Sequence, residues 1–139
     1  MLKTLFLILA TMSYATEPSV KVEGQRVTAL TQSITVVFDG PALVSIRDLG
    51  TSTEFIHAAP PPNPLDVYFL NGETVGQDKH QKITVLQVSP LAARVTIVGE
   101  DSKRSLLITV DQDTGDVLVT PDGAAQRRGV RSVGLKVPV

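Results

Sequence analysis

Along most of this chain apolar and polar residues alternate one by one. Ile34, Val36 and Phe38 fall on one side of such a stretch, with Thr35 and Val37 on the other. Asp39-Gly40-Pro41 then supplies turn residues, and Val44 and Ile46 resume the alternation against Ser45 and Arg47. A period of two is that of a strand with one buried face, so 34–47 predicts a β-hairpin. The same reading gives short strands near 20–23, 27–30, 53–57 and 66–70. Lys82 to Val88, Ala92 to Val98, Arg104 to Val110 and Asp116 to Thr120 predict a four-strand meander. Its breaks are Ser89-Pro90, Gly99 to Ser102 and Asp111 to Gly115. No window of eleven or more residues carries apolar positions at helical spacing. The expected fold is all-β, an antiparallel β-sandwich or open barrel of about ten short strands. Ile34, Val36, Phe38, Val95, Ile97, Leu106, Ile108 and Val110 are its expected core.

Two segments interrupt the pattern. Ala58 to Pro64 holds four prolines, which cannot donate to a central sheet, and is expected to run as an extended connector. Gly123 to Gly129, GAAQRRG, shows no strand alternation and reads as a loop. At the other end Val133, Leu135, Val137 and Val139 alternate up to the last residue. A strand stopping there leaves an unprotected edge, which favours reading the chain as the front part of a longer protein over a terminal strand complete in itself.

The first fifteen residues follow a different rule. Lys3 precedes the apolar run Leu5 to Met12, and Ser13-Tyr14-Ala15 places small residues where a signal peptidase reads. The run is short for a bilayer span and is cut off by Thr16-Glu17-Pro18. This predicts a signal peptide over 1–15, cleaved after Ala15, and one secreted or periplasmic domain over 16–139 with no membrane attachment after cleavage. The whole chain carries 13 Lys+Arg against 14 Asp+Glu, a net charge of −1, and losing Lys3 makes it one unit more negative. Such a balance offers no long-range attraction to nucleic acid. There is no cysteine, so the exported domain must be held together by burial alone.

Candidate chemistry is sparse. Asp111-Gln112-Asp113-Thr114-Gly115-Asp116 alternates oxygen ligands as a calcium loop does, but its glycine stands fifth rather than sixth and no glutamate stands twelfth. Between two strands, Thr114-Gly115 suits a hairpin turn instead. No metal site or cofactor is expected. His57 and His80 lie far apart, and Glu54, three residues from His57 on a strand, would face the opposite side. There is no Gly-x-Ser-x-Gly elbow and no phosphate loop. Arg127, Arg128 and Arg131 form a small basic cluster able to fork onto a carboxylate or phosphate, and Tyr68 offers an aromatic face; these four are the candidate binding residues. No catalytic residues are assigned.

Several phrases together resemble a known family. They are Arg26 to Phe38 with its Asp39-Gly40 turn, Leu43 to Asp48, Thr51 to Phe55, Ile83 to Ile97 and Val130 to Val139. Their order is similar to the opening of exo-rhamnogalacturonan-lyase-like proteins, within the wider set of galactose-mutarotase-like supersandwich domains of glycoside hydrolases and polysaccharide lyases. The shared phrases are packing and turn motifs spread over most of 26–139. The resemblance implies a supersandwich-like N-terminal β-domain of a carbohydrate-processing protein, with a polysaccharide or oligosaccharide partner. It implies catalytic residues in a downstream domain beyond Val139, so that this part alone is non-catalytic. A stand-alone periplasmic or extracellular binding or adhesion module is the alternative, and a complete small enzyme a third reading.

Overall fold

The computed structural model describes residues 16–61, 64–69, 74–75, 81–100, 102–125 and 130–138. The expected leader, 1–15, lies outside them. Among the described residues the chain is all-β, with no helix and eleven strands. A first antiparallel sheet runs in the order β1 (Ser19–Glu23), β2 (Arg26–Leu30), β3 (Ile34–Asp39) and β4 (Ala42–Asp48). A second is the meander β7 (Lys82–Ser89), β8 (Ala92–Val98), β9 (Ser102–Val110) and β10 (Val117–Ala125). A third sets β5 (Leu65–Phe69) between β11 (Val130–Leu135) and β6 (Thr74–Val75).

One core joins them. The first sheet contributes Val20, Val27, Ala29, Val36, Phe38 and Leu43; the second contributes Ala93, Val95, Ile97, Leu106, Ile108 and Val110; the third contributes Leu65. Of the expected core residues all are buried except Ile34, which is half-buried and packs against the cluster's margin. The sequence pattern also misses Leu43. A register shift between Val37 and Phe38 pairs Phe38 with Leu43 and Val37 with Ser45, so Val44 is the extra residue of a bulge. Leu43, and not Val44, is therefore the buried partner. The turn before it holds Gly40 at φ 54°, the left-handed region that glycine occupies at little cost.

The meander forms where the alternation predicted it, but its last strand is longer. Gly123, Ala124 and Ala125 pair with Arg104, Lys103 and Ser102, so the first part of the expected loop 123–129 is strand. Pro121 looked like the end of β10, yet β10 is an edge of its sheet, where a residue without an N–H is tolerated. The expected strand 53–57 shrinks to a bridge between Arg47 and Glu54 beside β4. The final strand starts earlier than its alternation suggests and ends at Leu135, leaving Val137 outside it and 48% exposed.

A buried cation ties the second sheet to the third, and an ion pair lies within the third. Arg104, only 1% exposed, donates from Nη1 to the Leu65 carbonyl at 3.1 Å. Asp66, also buried, forms an ion pair with Lys136, whose backbone N–H donates to the Pro64 carbonyl at 2.7 Å. A buried cation is costly without such partners.

Candidate binding face

Alternation gives the β7–β10 sheet two faces, and the inner one is spent on the core. On the outer face, Leu86, Arg94, Leu107 and Thr120 make one cross-strand row. Thr84, Thr96, Ser105 and Asp122 make the next, and Lys82, Val98 and Lys103 belong to a third. The middle of this face is an open depression of about 730 Å³, lined by the polar side chains of Arg94, Lys103, Thr96, Ser105, Thr120 and Asp122 and by the apolar Leu86, Leu107 and Pro121. Arg94 and Lys103 are both exposed. Their rows are four residues apart along the strands, which is roughly 13 Å at the usual strand rise.

The charge on this face is uneven. Lys82, Arg94 and Lys103 stand against Asp122, whose Oδ1 already accepts the Gly123 N–H at 2.8 Å. Between them lie hydroxyls able to donate and accept. Leu86 at 58% and Leu118 at 51% leave apolar surface beside the polar rows. Two cations and several hydroxyls, with a single carboxylate and exposed apolar side chains among them, can hold a polyhydroxylated, anion-bearing chain. Sequence reasoning missed it because Arg94, Lys103 and Thr120 are far apart along the chain and each reads as an ordinary solvated strand residue. Only the meander register brings them together.

The residues singled out from the sequence fare differently. Arg127 and Arg128 lie outside the described residues, as does His80. Tyr68 is on β5 and pairs with Ser132 of β11, while Arg131 falls in the register shift between Val130 and Ser132. The third sheet thus sets the backbones of Tyr68 and Arg131 on adjacent strands.

Glu54 and His57 do not make an acid–base pair. The Glu54 carboxylate accepts the Ser45 hydroxyl at 2.8 Å and the Ile46 N–H at 2.9 Å. The Ser45 hydrogen bond, helped by the Ile46 and Ile56 N–H groups and the Arg47 charge, holds its carboxyl below the usual glutamate range. The acidic run is a turn. The Asp111 carboxylate accepts the Asp113 and Thr114 N–H groups, the Gly115 N–H donates to the Asp111 carbonyl, and Gly115 takes φ 75°. Among the described residues no group of three or more His, Cys, Asp or Glu is placed to hold a metal ion, and no helix is long and apolar enough to cross a membrane.

Compared with known protein families, curated proteins and solved structures, the chain matches none.

Proposed function

We propose that this chain is an exported β-sandwich binding domain that holds a polysaccharide or oligosaccharide on the outer face of the β7–β10 sheet. The observation that carries this reading is the depression itself, where Arg94 and Lys103 flank a row of hydroxyls on an otherwise partly apolar sheet face. Guanidinium and ammonium groups hold carboxylates, and hydroxyls exchange hydrogen bonds with sugar hydroxyls. Export is supported by the Lys3, Leu5–Met12 and Ser13–Ala15 pattern. A supersandwich-like N-terminal part of a carbohydrate-processing protein fits the same face, with chemistry supplied by another domain. In that reading Tyr68 of β5 and Arg131 of β11 belong to a second contact region, and Arg127 and Arg128, close to Arg131 in sequence, remain candidates for it.

Calorimetric titration with rhamnogalacturonan and polygalacturonate fragments, and with neutral galactan fragments, tests the proposal. The acidic fragments are expected to bind more tightly, and the double variant Arg94→Ala/Lys103→Ala to lose at least ten-fold in affinity, about 1.4 kcal/mol. Equal binding by the double variant would place the ligand elsewhere. Turnover of these substrates by the chain alone would show that it carries its own active site.

A further inference from the structure

The outer face of the β7–β10 sheet carries its charges in a fixed order. Lys82 and Lys103 stand in one cross-strand row, and Arg94 stands two rows away. The row between them is Thr84, Thr96, Ser105 and Asp122, so its one charge is negative and lies at its β10 end. Neighbouring rows are two residues apart, roughly 7 Å at the usual strand rise. A straight path from Arg94 on β8 to Lys103 on β9 crosses the middle row between Thr96 and Ser105. Asp122 is then one and a half strand spacings from the crossing, also roughly 7 Å.

The fold does not consume these charges. Lys82, Arg94, Lys103 and Asp122 are all exposed. Among the described residues none of the three cations has a side-chain hydrogen bond or ion pair. Asp122 accepts the Gly123 N–H on Oδ1 at 2.8 Å and has no other side-chain partner among them. Its second oxygen is left to accept from a ligand.

We infer that Asp122 makes this face selective for the pattern of charge along its ligand. The preferred ligand is a sugar chain with anionic groups over the two outer rows and an uncharged unit over the middle one. This rests on the binding reading above and deepens it. Once Arg94 and Lys103 are paired with the outer anions, a third anion over the middle row meets only hydroxyls and the Asp122 carboxylate. Like charges roughly 7 Å apart in water repel enough to cost about three-fold in affinity. An uncharged unit instead presents hydroxyls, which donate to Asp122 and exchange hydrogen bonds with Thr96 and Ser105. A uniformly charged chain is therefore the poorer ligand, although it carries more charge.

The test is calorimetric titration of the full chain at low salt, where screening is least. The two probes are a four-unit oligogalacturonate and the same oligomer with both internal carboxyls methyl-esterified. The esterified oligomer should bind the parent about three-fold more tightly. Asp122→Asn keeps an oxygen for the Gly123 N–H and should abolish that preference by strengthening binding of the fully ionised oligomer. Thr96→Asp adds a second carboxylate to the middle row and should widen the preference. It also keeps the inference testable should Asp122→Asn fail to fold. A parent that prefers the fully ionised oligomer, or a preference unchanged in either variant, would overturn the inference while the binding reading stands. If neither oligomer binds, both fall together.

Discussion

Arg104 stands where the alternation of β9 calls for an apolar side chain, between Ser102 and Leu106 on the inner face. Its position was legible, because period two places 104, 106, 108 and 110 on one side. Its burial was not, since a charged residue on an inward face is normally read as a strand end. What the alternation lacks is the Leu65 carbonyl, brought opposite by a sheet assembled from residues distant in sequence. Arg104→Ala should cost about 2–5 kcal/mol in denaturant unfolding, through an unfilled space and a buried carbonyl left without its donor. Ile108→Ala should cost a similar amount, about 2–5 kcal/mol, by cavity formation alone. Leu118→Ala, half exposed on the opposite face, should change stability by less than about 0.5 kcal/mol. Glu54 makes a pH prediction. Its folded pKa lies below the unfolded value, so its contribution is present above the unfolded value and fades as pH falls through the folded one. The acid limb of a melting-temperature profile should therefore be shallower in Glu54→Gln than in the parent.

At the scale of elements, hairpins and meander strands were readable because their partners are neighbours in sequence and their turns carry glycine or proline. The Asp111–Asp116 turn shows why residue type alone misleads: its carboxylates resemble a calcium set, but Asp111 is occupied by the Asp113 and Thr114 N–H groups. Calcium or a chelator should leave the melting temperature unchanged; a clear rise with calcium would mean native-state metal binding. Gly115→Ala meets nothing within 4 Å of its new Cβ, so its cost, about 1–2 kcal/mol, should come from the left-handed backbone alone. Element boundaries were less readable. Pro121 masks the continuation of β10 because its lost donor matters only in a central strand, and an edge position is a property of the sheet. The bulge at Val44 likewise follows from pairing with β3, which no local pattern reports.

At the scale of the molecule, the all-β class follows from the absence of any helical period, while the third sheet does not. β5 and β11 pair across more than sixty residues, and nothing local in either announces the other. The binding face has the same origin, being a product of register rather than of a motif. Arg131 of the basic cluster stands on β11, outside the β7–β10 sheet, so binding at it and binding on the meander face give separate outcomes. Backbone amide shifts followed by NMR during titration with an acidic oligosaccharide test the central claim most directly. The account predicts that the largest saturable shifts fall on Arg94, Thr96, Lys103, Ser105 and Thr120, and that they shrink with added salt. Shifts confined to β5 and β11, or none at all at millimolar ligand, would contradict it.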